Sequence, residues 1–509
     1  MRKLITSPYL ITFLAGAVAV LGFAPFGFFP LPVLSLAVLF WLWGRAERAV
    51  QAAWLGFAFG MGLFCAGIGW IYVALHIYGY MHPILAALAT ALFAAVNAAL
   101  PAAVGYAVGW IKRHNTSSLL AGKGGGEGGY LNLLLVMPAI WTLAEWLRGL
   151  LFTGFPWLSM GYSQVPGSPL AGYAPLFGVF GVSLIVAVSA GLLLVLWNVR
   201  WSKPGRISMA VMVALWLSGA VLHTVEWTQP RGEPLKVSLL QGNVAQNEKF
   251  DDERLIGTLE TYSRLAQGSD AKLIIMPETA LPLLRDNVPE NYQIILGDHA
   301  RKNGGDILLG AFEKEDGNYY NSVYSLGNSE SQHYRKNHLV PFGEFIPLRS
   351  VFGWLINEVL QIPMGDQASG GTDQPPLEVA GQKVAVNICY EDAFGEEIIH
   401  ALPEATLLVN VTNDAWYGES HAAMQHNQLS QMRALETGRM VLRATNTGVT
   451  SVIGVDGRIQ AMLPQHEEGV LTAEVQGYTG STPYVRWGNA VMLLLVAGIL
   501  LVAWRLRGR

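Results

Sequence analysis

Long apolar runs dominate the first 223 residues of this chain, and a bilayer is the solvent in which such runs are stable. About 20 apolar residues cross a membrane as a helix. Eight runs of this kind are read at 8–23, 31–44, 53–75, 83–111, 131–150, 172–198, 207–223 and 488–504. Hydrophobic residues make up 52% of the chain and charged residues 14%, against roughly a quarter charged in soluble domains. Charge is also segregated. Of the 37 Asp and Glu residues, 34 lie within 224–487, while the rest of the chain holds 14 Lys and Arg against Glu47, Glu127 and Glu145. The expected organisation is seven transmembrane helices in 1–223, a globular segment in 224–487, and an eighth helix with a short tail in 488–509. A net charge of −4 excludes a nucleic-acid partner.

Orientation follows from basic residues, which stay on the cytoplasmic side. They cluster at Arg2/Lys3, Arg45/Arg48, Lys112/Arg113/Lys123, Arg200/Lys203/Arg206 and Arg505/Arg507/Arg509, in every second loop. Both termini are therefore expected in the cytoplasm and segment 224–487 outside it, in the periplasm of a bacterial inner membrane. Arg148, near the outer end of the fifth run, departs from the pattern. Arg2 and Lys3 give the first run the look of a signal peptide, but no small-residue cleavage site follows, so it is expected to be retained.

The outer segment reads as α/β. Apolar, β-branched runs recur at Lys236–Leu240, Lys272–Met276, Asp306–Phe312, Ser322–Leu326, Lys383–Ile388 and Thr406–Val411. Near-continuous apolar strands imply sheets covered on both faces. Helices are expected from Asp251 or Asp252 to about Leu265, and over Ser420–Met440. The glycines of Gly122–Gly129 lack the spacing of a phosphate-binding loop.

Three reactive side chains follow strand-like runs: Glu278 in Met276-Pro277-Glu278-Thr279-Ala280, Lys336 in Tyr334-Arg335-Lys336-Asn337-His338, and Cys389 in Asn387-Ile388-Cys389-Tyr390-Glu391. Open sheets form their crevice at strand ends. A thiol nucleophile, a carboxylate base and an ammonium are the parts needed for acyl transfer through a thioester. Glu278 accepts the thiol proton and returns it to the leaving group. Lys336 faces the oxyanion and is expected to depress the Cys389 pKa. Only one other cysteine exists, Cys65 inside an apolar run, so no disulfide framework is expected. An unpaired thiol in an oxidising compartment is a liability unless buried or used. Spacing alone does not bring the three residues together. His338 and His421 lack metal-ligand spacing, and no metal is expected.

The segments Pro277–Ala280, Lys336–Glu344 and Ile388–Glu391 resemble the Glu-Lys-Cys signatures of the nitrilase, or carbon–nitrogen hydrolase, superfamily. With the apolar runs around them, nearly the whole chain resembles the membrane-bound branch of that superfamily, the apolipoprotein N-acyltransferase family. Further resembling blocks are Glu145–Gly149, Thr153–Trp157, Asn413–Gly418 and Arg433–Arg439. The resemblance implies an αββα sandwich on an eight-helix membrane base, acting as a monomer without a cofactor. It implies transfer of an acyl chain from the sn-1 position of a phospholipid, typically phosphatidylethanolamine, to Cys389. The chain then passes to the α-amino group of the diacylglyceryl-cysteine of an apolipoprotein. Glu278, Lys336 and Cys389 become the triad, with Glu344 and Glu391 as supporting carboxylates. Phe250 stands where many of the family carry Trp, at a lipid-contacting place.

The residues themselves add a route for lipid. Segment Val351–Met364, with Trp354 and Leu355, is apolar within a polar domain and is expected to dip into the outer leaflet. Thr153–Gln164, with Phe155 and Trp157, lies at the outer interface where aromatics collect. Arg148, Trp416 and Tyr417 are further candidates for substrate contact, and Tyr390 for packing beside the acyl chain. Two other readings use the same chain: a membrane-anchored amidase or nitrilase acting on a small amide, and a transporter or receptor with a nitrilase-like binding domain. Few ionisable residues lie in the apolar runs, which speaks against ion coupling.

Overall fold

The structure is a computed structural model that describes residues 7–113, 130, 132–247, 249, 252–346 and 366–507. It divides into two compact units, one of Met1–His76, Met81–Val225 and Arg486–Arg509, the other of Ile77–Tyr80 and Glu226–Val485.

The first unit is helical. Among the described residues, four of its helices are long and apolar enough to cross a membrane: Ala49–Gly67, Pro83–Arg113, Pro169–Val199 and Lys203–Leu222. Shorter apolar helices occupy Pro8–Gly22, Pro30–Arg45 and Ala490–Arg505, and Met137–Arg148 forms another helix. Apolar helices in lipid gain little from the hydrophobic effect when they pair, so small residues that admit close backbones decide where they meet. Gly16 and Gly62 do this here. A Cβ on Gly16 would sit 2.0 Å from the Phe59 carbonyl oxygen, and one on Gly62 would sit 1.9 Å from that of Phe13.

Among the described residues the second unit holds twelve strands: β1 Thr228–Gln241, β2 Leu273–Ile275, β3 Asp306–Glu315, β4 Asn318–Gly327, β5 His333–Arg335, β6 Leu377–Val379, β7 Gln382–Ile388, β8 Leu407–Thr412, β9 Val441–Thr445, β10 Ser451–Ile453, β11 Ile459–Met462 and β12 Gly469–Gly480. They form two six-stranded sheets, ordered β12-β1-β2-β3-β4-β5 and β11-β10-β9-β8-β7-β6. In each sheet three strands run parallel, β1-β2-β3 and β7-β8-β9, and the flanking strands are antiparallel.

Strand side chains alternate between faces, and here both faces are covered. Val237, Leu239, Leu273, Ile275 and Leu308 of one sheet pack with Val384, Val386, Ile388, Val409 and Leu442 of the other. On the outer face of the first sheet, Ile274, Met276, Ile307 and Leu309 pack with Tyr262, Leu265, Leu296 and Ala300. These come from helices Asp252–Gln267 and Glu290–Lys302. On the outer face of the second sheet, Ala385, Leu408 and Val441 meet Ala434 of helix Ala422–Thr437. The layers are helix, sheet, sheet, helix. This continuous burial explains why β1, β2, β3, β4, β7 and β8 are legible as apolar runs. Strands β5, β6 and β9 to β12 are not, being short or carrying polar residues such as Arg443 and Glu474.

Candidate active site

Glu278, Lys336 and Cys389 all lie in the second unit, each just beyond a strand. Glu278 occupies the turn after β2. The next residue, Thr279, has φ +47°, a left-handed conformation that costs a non-glycine residue about 1–3 kcal/mol and persists only where its surroundings enforce it. Gly310 on β3 makes room for this turn. A Cβ there would lie 2.4 Å from the Pro277 carbonyl oxygen and 2.7 Å from the Thr279 nitrogen. The buried Glu278 carboxylate accepts hydrogen bonds from Asn321 Nδ2 at 2.8 Å and from the Asn413 backbone N–H at 2.8 Å.

Lys336 follows β5 and is fully buried. Its backbone N–H donates to the Asn321 carbonyl at 2.8 Å, so Asn321 ties together the backbone of one residue and the side chain of the other. Lys336 Nζ lies 3.7 Å from Glu278 Oε1 and donates to Glu344 Oε1 at 2.6 Å. The other Glu344 oxygen accepts the Val340 N–H at 2.8 Å. Burial alone would push the Lys336 ammonium down. Glu344 and then Glu278 more than offset this and hold it well above the ordinary lysine range.

Cys389 opens a tight turn after β7 with φ +56°. A nucleophile on a strained strand-to-helix turn projects from the end of its sheet. Its carbonyl oxygen accepts from Asn410 Nδ2 and faces His426 Nε2, both at 3.1 Å. The charge of Lys336 bears on the thiol as expected, without deciding the outcome. Lys336 acts to lower its pKa, but burial and the charge of Glu278 outweigh the ammonium, and the pKa is raised well above that of a free thiol. The resting nucleophile is therefore the neutral thiol, and it needs a base at the moment of attack.

Glu391 joins the nucleophile turn to the lysine loop. Its oxygens accept the N–H groups of Ile388 at 2.6 Å, Asn337 at 2.7 Å and His338 at 3.0 Å, and the Tyr334 hydroxyl at 3.0 Å. Burial raises its pKa to about 7, and those N–H donors and Lys336 limit the rise. Tyr390 packs edge-on to Phe394, with ring centroids 5.1 Å apart.

The remaining candidates are placed as follows. Trp416 is 42% exposed and Tyr417 half-buried beside the turn that carries Asn413. In the helical unit, Arg148 is buried and donates to the carbonyls of Phe155 and Trp157 and to Ser159 Oγ. Trp157 is 1% exposed and lies 5.3 Å from the Trp70 ring, while Phe155 is half-buried. Arg148 thus holds the 155–159 loop from inside. Phe250, Trp354, Leu355 and segment 351–364 lie outside the described residues. Among the described residues, no group of three His, Cys, Asp or Glu has the arrangement of a metal site.

Sequence reasoning missed several residues that build this site. Asn321 sits mid-strand and Asn413 in a block already singled out, but their bonds to Glu278 exist only in the fold. Behind Cys389, Arg443 bridges Asp392 and Asp414, each at 3.0 Å, and the His426 ring lies 2.8 Å from Asp414 and 3.0 Å from Asp392. A carboxylate clustered with Arg and His on a helix and strand reads as surface in sequence. Lys249 was missed as well. It is 2% exposed and its Nζ donates to the Glu278 carbonyl oxygen at 3.1 Å.

Comparison with known proteins agrees with this architecture. Residues 15–192 match the model of the apolipoprotein N-acyltransferase N-terminal domain, and residues 236–484 that of the carbon–nitrogen hydrolases. A protein of Nitrosomonas europaea named apolipoprotein N-acyltransferase is 50% identical over 96% of this chain and 95% of its own. One of the same name from Chromobacterium violaceum is 43% identical over 97% and 94%. With that likeness running through both units, the membrane-embedded helices and the sandwich that holds Glu278, Lys336 and Cys389, the chain belongs to the apolipoprotein N-acyltransferase family.

Proposed function

We propose that this membrane enzyme moves an acyl chain from the sn-1 position of a phospholipid, phosphatidylethanolamine by preference, to the N-terminal α-amine of diacylglyceryl-cysteine on apolipoproteins, through a thioester on Cys389. The observation that carries the reading is the buried meeting of Glu278, Lys336 and Glu344 around one ammonium, beside a neutral thiol on a strained turn, in a chain of this family. In the first half-reaction Glu278 takes the Cys389 proton as sulfur bonds to the ester carbonyl carbon. The tetrahedral oxyanion is stabilised by the Lys336 ammonium. The C–O bond then breaks, and Glu278 gives the proton to the departing lysophospholipid hydroxyl. In the second half-reaction the neutral amine attacks the thioester. Its surplus proton passes to Glu278 and then to the leaving sulfur, which restores the thiol. These side chains suffice for the chemistry as written, without a cofactor. Glu344 keeps Lys336 charged and aimed, and Glu391 fixes the nucleophile turn against the lysine loop.

The asymmetry of basic residues supports an inner-membrane enzyme with both termini in the cytoplasm and the sandwich in the periplasm. It would act there as a monomer, with Trp416 and Tyr417 meeting lipid. Intact-mass measurement of the protein incubated with defined phospholipids tests the reaction. The expected result is one acyl adduct on Cys389 with equimolar lysophospholipid. An adduct of equal lability in Cys389→Ala would overturn it, as would ammonia release from small amides with no lysophospholipid.

A further inference from the structure

Charge balance around Glu278 singles out Lys249. Glu278 and Glu344 carry two negative charges into a buried site, and Lys336 supplies a single positive charge that both of them share, at 3.7 and 2.6 Å. With Cys389 neutral, that trio has a net charge of −1. A buried charge is costly unless a partner of opposite sign lies close. The missing positive charge lies close by. Lys249 is 2% exposed, and burial pushes its ammonium down to about 8, against the pull of Glu278 first and Cys389 second. An ammonium carries three donors. Among the described residues Lys249 makes one hydrogen bond, to the Glu278 carbonyl oxygen at 3.1 Å, and no ion pair within 4.0 Å. A lysine that served packing alone would bury its stem and leave its charge in water. This one brings its charge to the backbone of the base.

We propose that Lys249 is a positioning residue of the acyl-transfer site, whose ammonium pins the Glu278 carbonyl and keeps the Glu278 carboxylate ionised at the start of each half-reaction. The inference rests on the acyl-transfer reading above. The pin acts on the residue before Thr279, whose left-handed backbone needs enforcing. The charge completes a neutral set of two carboxylates and two ammoniums. Of the other ionisable groups, Lys336 and Asp414 bear on the thiol, Tyr417 on the thiol and Glu278, and Glu344 and Glu391 on Lys336.

The test is the rate of Cys389 acylation from a defined phosphatidylethanolamine, followed by intact mass from pH 5 to 9 in the full-length enzyme. Lys249→Met keeps the length and removes the charge. It should slow acylation roughly 10- to 100-fold and move the acid limb of the profile up by about one pH unit, since an opposite charge is lost from the carboxylate. Lys249→Arg should return the limb to its wild-type position. If the Met variant fails to fold, Lys249→Gln, which keeps a donor, should show the same shifted limb. A wild-type limb in the Met or Gln variant overturns the proposal, whether its rate is normal or reduced, because a purely structural residue gives that result. Absence of an adduct in the wild-type enzyme instead sinks the acyl-transfer reading beneath it.

Discussion

Two clusters of buried charge flank Cys389, one around Glu278 and the other behind the Cys389 carbonyl. The first holds Glu278, Glu344, Lys336 and Lys249; Glu344 grips Lys336 at 2.6 Å, but the base Glu278 stands 3.7 Å from that ammonium and meets Lys249 only through its backbone carbonyl. The second holds Asp392, Asp414, His426 and Arg443, with separations of 2.8 to 3.0 Å throughout. Arg443 also donates to Asn410 at 2.7 Å, the residue whose amide holds the Cys389 carbonyl. Both sets sum to zero charge. The difference lies in what their protons do. Around Glu278, protons must come and go in each half-reaction, and its long contact with the Lys336 ammonium leaves room for that. Behind Cys389, charges held in close pairs keep one protonation state and brace the strained turn. His426 shows this: burial and Arg443 push its ring down, yet Asp392 and Asp414 outweigh both and raise its pKa to about 9.

The division predicts rate effects from one cluster and stability effects from the other. Cys389→Ala should abolish the acyl adduct outright, with a thermal midpoint close to wild type. Glu278→Gln should follow, with acylation slowed roughly 10²- to 10⁴-fold, again read by adduct formation over time. A large loss of stability in Glu278→Gln would blur the division. Arg443→Met should do the reverse. Leaving the buried Asp392 and Asp414 with His426 as their one remaining cation costs about 3–5 kcal/mol, seen as a lowered thermal midpoint in one fixed detergent.

The pH dependence has a definite sign. His426 binds its proton more tightly folded than unfolded, so its contribution is complete below about pH 6.5 and is lost as pH rises through about 9. The thermal midpoint should fall across that window, and His426→Gln should flatten the fall. The smallest effect is sought at Gly310→Ala, where a Cβ must displace the base turn at about 1–3 kcal/mol. If acylation falls more than stability does, the turn geometry itself matters to catalysis.

Much of the site could be read along the chain because its chemistry sits where strands end. Glu278 follows Lys272–Met276, and Cys389 follows Lys383–Ile388, both runs covered on two faces and so apolar without interruption. Lys336 follows β5, whose three residues make a far weaker apolar signal than β2 or β7, so its strand-end place was read mainly from the motif around it. Helix Ala422–Thr437 shows the limit. Its residues are buried, Gln425, His426, Arg433 and Glu436 among them, and a helix with that composition reads from sequence as a solvated one. Its polar groups are inside because partners from β9, β10 and the nucleophile turn receive them.

Sequence by itself determined that the chain has an apolar helical part and a covered α/β part, since hydrophobic periodicity reports solvent directly. It also supplied the thiol, the carboxylate and the ammonium. Tertiary structure decided that Lys336 serves two carboxylates, that the thiol stays protonated at rest, and that Lys249 reaches the carbonyl of Glu278. Each of those depends on distance and burial between residues far apart in the chain, and electrostatic energy is set by separation and surroundings rather than by composition.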